Sequence, residues 1–169
     1  LNCIIEMGVS MDLVAIYTSR IGHLAQNTEL FLRRKSLNPT EIAVYRITDH
    51  FSGQYISNNQ LYKMINRVIK IKDINTAEYL NLVKKGHKDC GMMSCMSNEF
   101  WEFDNIKPQL SFLPYEIKKG QDLLNKIGVG NKPYVCLHQR DALYLKHSAP
   151  KFDYSYHNYR DCDIKSCII

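Results

Sequence analysis

No apolar run in the 169 residues approaches the roughly 20 consecutive residues that a bilayer-spanning helix needs. The most apolar early stretch, residues 3–17, is interrupted by Glu6 and Asp12. It has neither a basic leader nor a small-residue cleavage site, which argues against a secretory signal there. Basic blocks are missing too. The net charge of +5 is spread out, with only short clusters such as Arg33-Arg34-Lys35, Lys70-Ile71-Lys72 and Lys84-Lys85. That spread reads as solvated surface; it suits anionic headgroups or a phosphorylated substrate but forms no nucleic-acid stripe. The six cysteines include two C-x4-C pairs, Cys90/Cys95 and Cys162/Cys167. No second close-spaced Cys or His pair completes a zinc tetrahedron around the first, so reduced thiols are expected and no metal. Cys136 lies in an apolar run and reads as a core residue. Trp101, the single tryptophan, sits with Phe100 and Phe103 as a local hydrophobic anchor. His50, His87 and His147 show no partner in the sequence.

What is present is ordinary for a globular chain: 45% apolar and 23% charged residues. The length fits one domain, or one domain and part of another. The first residue is Leu1, so the chain reads as a piece of a longer protein. Residues 12–17, DLVAIY, have the β-branched and aromatic make-up of a buried strand. A Gly-containing loop over 18–24 leads to a helix with Asn27 or Thr28 as cap, Glu29 in its first turn and Arg33, Arg34 and Lys35 near its end. The turn Asn38-Pro39 precedes a second strand, EIAVYRI, at 41–47. Strand, helix, strand in that order is a βαβ unit, and the right-handed crossover makes the sheet parallel.

Helix spacing follows at 58–71 through Leu61, Met64, Ile65, Val68 and Ile69, capped by Asn58 or Asn59. A further helix is expected over 73–85, stopped by Gly86. Residues 87–112 lack a pattern and read as an irregular connection or lid. Pro114 opens a helix striped by Ile117, Leu123, Leu124 and Ile127 and capped by Gly128; a turn at 130–133 then leads into a strand at 134–137. The resulting division is 1–113 and 114–169, the second part too short to complete a domain.

In open parallel sheets ligands bind outside the carboxyl ends of the strands. Two loops belong there. In the first, Gly22 allows close backbone approach, the helix start offers N–H groups to an anion, and Arg20 and His23 add a guanidinium and an imidazole. A plain strand-to-helix turn would account for the same residues. In the second, His138-Gln139-Arg140-Asp141, Arg140 suits a diphosphate, Asp141 could orient it or a sugar hydroxyl, and His138 could act as a general base. An exposed Arg–Asp pair is the simpler alternative. A later group, Tyr156, His157, Tyr159, Arg160, Asp161 and Asp163, suits sugar and phosphate contact; a helix start capped by Asp161 or Asp163 explains half of it.

The segments SRIGHLAQNTELFLRRK, NNQLYKM, LPYEIKKGQDLLNKIG, KPYVCLHQRDALYLK and SYHNYRDCDIKSCI resemble, in that order, the motifs of a family of bacterial glycosyltransferases found with surface-polysaccharide genes. The resemblance covers residues 19–168. It implies a GT-B-like architecture: a Rossmann-like N-terminal domain on the acceptor side, then the first strand and loop of a second Rossmann-like domain for the nucleotide-sugar. HQRD is also similar to the His-x-Arg motif of fucosyltransferases, which would set Arg140 on the donor diphosphate. Asp141 departs from that motif by following Arg140 directly, and with it fucose as the donor sugar. His23, His138 and Asp141 become the catalytic candidates; Arg20, Gly22, Tyr156, His157, Arg160 and Asp161 become the substrate-binding ones. The implied partners are a nucleotide-sugar donor and a glycan acceptor, with no metal or other cofactor and no nucleic acid. The implied setting is the cytoplasm, with room for peripheral association with the inner membrane. A non-catalytic α/β domain binding a phosphorylated or glycan ligand is the alternative. On the family pattern most of the second domain would follow residue 169, and this chain alone would be inactive.

Overall fold

The computed structural model describes residues 11–39, 41–93, 101–136, 143–148, 150–151, 153–161 and 165. It is an α/β structure with two compact units, Leu1–Pro114 and Tyr115–Ile169. The first is built on a parallel sheet of β1 (Asp12–Ala15), β2 (Ile42–Ile47), β3 (Ile71–Ile74) and β4 (Lys88–Met92) in the order β3-β2-β1-β4. Val14 pairs with Val44 and Val44 with Ile71, so the apolar residues of adjacent strands meet on one face.

Both faces are covered, as a parallel sheet requires. One face carries Val14, Ile16, Val44, Ile71 and Met93 against Leu24, Leu32, Ile65 and Ile69. Leu32 belongs to α1 (Thr28–Leu37), and Ile65 to α2 (Asn59–Val68), which Ile69 follows. The other carries Leu13, Ala15, Tyr45 and Ile47 against Tyr79, Leu82 and Val83 of α3 (Thr76–Lys84). The helix ends follow local chemistry. The Asn58 side chain accepts from Leu61 N–H, and Asn75 with Glu78 closes a reciprocal capping box. Gly86, at φ 95°, ends α3 in a conformation that disfavours a side chain.

Several sequence expectations change. The first helix begins at residue 21 rather than at a cap on Asn27 or Thr28, and its His23–Asn27 turn is π-helical. Asn27 has helical dihedrals and makes no cap bond, because its amide is committed to the neighbouring strand. α2 ends at Val68, half of whose side chain is exposed; Ile69 is already extended, and Asn66 Oδ1 accepts from Ile71 N–H as β3 begins. Residues expected to start a helix at 73 are strand, and α3 starts at Thr76.

Residues 87–112 are not simply an irregular connection. They contain β4 and the short helix α4 (Trp101–Asn105). Residues 94–100 of this segment lie outside the described residues, and its later part is clamped onto α1. Arg33, grouped by sequence with solvated cations, is 5% exposed. Its guanidinium donates to the carbonyls of Glu102 and Phe103 at 2.9 Å and of Ile106 at 2.5 Å, and its Nε to Glu29 Oε1 at 2.7 Å. Glu29 also accepts from Gln109 N–H, and Arg34 bonds Glu102. Phe103 lies under the Arg33 guanidinium, while Trp101 is exposed; Phe100, expected beside them, lies outside the described residues.

In the second unit α5 (Pro114–Lys126) forms as expected and Gly128 follows it at φ 81°. Ile117, Leu123 and Ile127 of its apolar stripe are exposed. Residues 133–136 form no strand, and Tyr134, Val135 and Cys136 are exposed, so Cys136 is not a core residue. A four-residue apolar run without a paired neighbour has no ladder to join. α6 (Leu143–Ser148) and a 3₁₀ turn, Ser155–Arg160, follow. The turn is held at its start by Asp153, which accepts from Ser155 N–H, and it ends at Asp161; the helix start expected after Asp161 or Asp163 lies outside the described residues.

Candidate functional site

β1 lies between β2 and β4, so the chain leaves β1 toward one side of the sheet and returns through α3 to pair with its other side. The strand order reverses there, and the carboxyl ends of β1 and β4 flank the crevice where ligands bind in such sheets. The residues after β1 and β2 build this edge together. Thr18 and Ser19 N–H both donate to the Ser52 carbonyl, at 2.8 and 3.0 Å. Thr18 Oγ1 donates to the Tyr55 carbonyl at 2.8 Å, and Ser57 bonds the Thr18 carbonyl through both N–H and Oγ. Gly53 is required in this joint, because a Cβ there would collide with the Ile47 backbone carbonyl.

On that locked pair of loops stands a run of four rings. Tyr17 packs on His23 with centroids 4.5 Å apart and meets Phe51 edge-on at 5.8 Å, and Phe51 lies 4.2 Å from His50. Phe51 is 61% exposed although its loop is pinned on both sides.

His23 is the best-defined polar group of the site. Asn27, buried in the π-helical turn, donates from Nδ2 to the Met93 carbonyl at 2.8 Å, tying the first helix to the end of β4. The same amide nitrogen lies 3.3 Å from His23 Nδ1. An amide NH₂ has two hydrogens and cannot accept, so Nδ1 is the acceptor and the imidazole proton sits on Nε2. Burial and then the Arg20 charge pull the His23 pKa below its ordinary value. At neutral pH His23 is therefore an uncharged donor through Nε2. Service as a base through Nε2 would require the other tautomer and the loss of the Asn27 bond.

His50 is arranged alike. Its Nδ1 is 2.7 Å from Ser52 Oγ and accepts from Ser52 N–H at 3.4 Å, which leaves Nε2 directed elsewhere. Asp49 is occupied with Thr76, accepting from its N–H and its hydroxyl at 2.7 and 2.8 Å.

Of the residues marked in the sequence, Arg20, Gly22 and His23 gather at this edge. Gly22 is helical at φ −61° with open space where a Cβ would stand, so the fold itself does not demand glycine. Leu24 N–H donates to the Arg20 carbonyl as the first helical bond, so the N–H groups ahead of it have no partner within the helix. Tyr156 and Asp161 lie in the second unit, Tyr156 exposed. His138, Arg140, Asp141 and Asp163, and the side chains of His157 and Arg160, lie outside the described residues. Tyr17, His50 and Phe51 were not marked; an aromatic closing β1 and a His-Phe pair after β2 were the available signals. His87, also without a partner in the sequence, accepts from Met11 N–H. Among the described residues no three His, Cys, Asp or Glu side chains converge as metal ligands, and no helix is long and apolar enough to cross a membrane.

No protein-family model, curated protein or solved structure matches the chain.

Proposed function

We propose that the chain forms the acceptor-side domain and the beginning of the donor-side domain of a GT-B-type glycosyltransferase, which moves a sugar from a nucleotide-sugar to a surface-glycan acceptor. The observation that carries the reading is the polar and aromatic edge at the carboxyl ends of β1 and β2, next to the reversal of strand order. The motif order described above supplies the reaction class. In this proposal Arg20, Gly22 and His23 face the acceptor, with His23 placing an oxygen by donation from Nε2. Arg140 neutralises the departing diphosphate, an electrostatic task of the kind that dominates such transfers. His138 and Asp141 stand beside it as base and orienting group, and Tyr156, His157, Arg160 and Asp161 contact the sugar-nucleotide.

The test is a panel of nucleotide-sugars presented to the protein expressed from its complete reading frame, read as released nucleotide diphosphate. Release from at least one donor is expected, with kcat/KM falling about a hundredfold in Arg140→Ala. No release from any donor, or a variant as fast as the parent, contradicts the proposal. The donor tautomer of His23 favours a second reading, a binding module without turnover; tight glycan binding with no release would establish it.

A further inference from the structure

We infer that the His23–Tyr17–Phe51–His50 edge binds a saccharide bearing an anionic group, a carboxylate or a phosphate; this rests on the glycan reading above and names its ligand class. Phe51 is exposed on a loop whose backbone is fixed by the Thr18, Ser19 and Ser57 bonds. An exposed ring that its surroundings hold still is a stacking surface ready before the ligand arrives. The neighbouring rings stand tilted or edge-on to one another, at 32°, 76° and 48°. No two of them make a parallel slot for a flat base. The open face of Phe51 instead fits the C–H face of a pyranose, with imidazoles at its sides to reach ring substituents.

The polar groups decide the charge. His23 accepts at Nδ1 and so carries its proton on Nε2, while His50 has its Nδ1 engaged by Ser52. Arg20 lies close enough to His23 to depress its pKa. The nearby carboxylate, Asp49, has its Oδ1 taken by the N–H and hydroxyl of Thr76 at the start of α3. This edge therefore offers donors and positive charge but little to accept from sugar hydroxyls. A neutral sugar would leave its hydroxyl protons poorly matched, whereas a carboxylate or phosphate oxygen takes several donors at once. The N–H groups at the start of the first helix, beside the open space at Gly22, add to the same preference.

Calorimetry and saturation-transfer NMR on the 169-residue chain would use methyl glucoside, glucuronate, glucose 6-phosphate, inorganic phosphate and UMP as probes. Glucuronate or glucose 6-phosphate is expected to bind about tenfold or more tightly than both methyl glucoside and phosphate, a difference of about 1.4 kcal/mol. Phe51→Ala should weaken that binding about tenfold, and Phe51→Trp should keep it. The two acidic sugars tell carboxylate from phosphate. Equal binding of methyl glucoside overturns the charge assignment, and equal binding of phosphate alone overturns the ring's role. UMP binding that depends on Phe51 turns the edge into a base platform and overturns the proposal, as does binding of none of the sugars. Nucleotide-sugar turnover without binding of these sugars would sink the ligand class and leave the transferase. Binding without turnover would do the reverse.

Discussion

Asn27 governs what His23 can do. Its one amide nitrogen serves the Met93 carbonyl and faces His23 Nδ1, so the imidazole is held neutral with its proton pointing outward. Burial and Arg20 hold the folded-state pKa below the ordinary value of about 6.5. The unfolded chain then binds the His23 proton more readily than the folded one. The stability this contributes is present above about pH 6.5 and is lost as pH falls through the lower folded pKa. Thermal unfolding between pH 7.5 and 5 should show the parent losing stability more steeply than His23→Gln; equal slopes would mean that His23 is not the group responsible. Arg20, Gly22 and His23 could be singled out in the sequence because a glycine beside a cation and an imidazole follows a buried strand. Phe51 and His50 could not, because their roles depend on Thr18 and Ser19 bonding a carbonyl more than thirty residues away. Arg33 was opaque for a related reason. Nothing in the run Arg33-Arg34-Lys35 tells which cation turns inward.

The strands became legible in proportion to how much of them is buried. β1 and β2 occupy the middle of the order β3-β2-β1-β4 and read as apolar runs. β3 and β4 are the edges, with exposed residues along half of β3 and most of β4, and neither carries a pattern that separates it from a helix end or a loop. The π-helical turn lies in the stretch where sequence put a loop and a cap; such turns often mark functional sites. The clamp of α1 on α4 gives the element-scale prediction. Arg33→Ala strands three carbonyls, of residues 102, 103 and 106, and leaves Glu29 without its cation. It should cost about 3 kcal/mol in urea unfolding. Arg33→Lys should recover little, since one ammonium cannot serve the three carbonyls at Nη1 and Glu29 at Nε together. A loss under about 1 kcal/mol for Arg33→Ala would show that 101–110 is held by other contacts.

At the scale of the whole chain, the two units differ in how completely sequence described them. For the first, hydrophobic periodicity and crossover handedness led to a parallel α/β sheet, and the sheet located the edge where polar and aromatic residues meet. For the second, α5 was plain from Pro114 and Gly128, but the strand expected at 134–137 depended on pairing partners that sequence cannot supply. The claim that joins these scales is that the carboxyl edge of β1 and β2 is the ligand site. Mapping backbone-amide shifts while titrating glucuronate, glucose 6-phosphate and a nucleotide-sugar into the 169-residue chain tests it most directly. The largest changes are expected at residues 17–23 and 50–57, and they should shrink in Phe51→Ala. Shifts gathered instead at the opposite edge, around Asp12, Lys88 and Cys90, or none with any of the three, would contradict it.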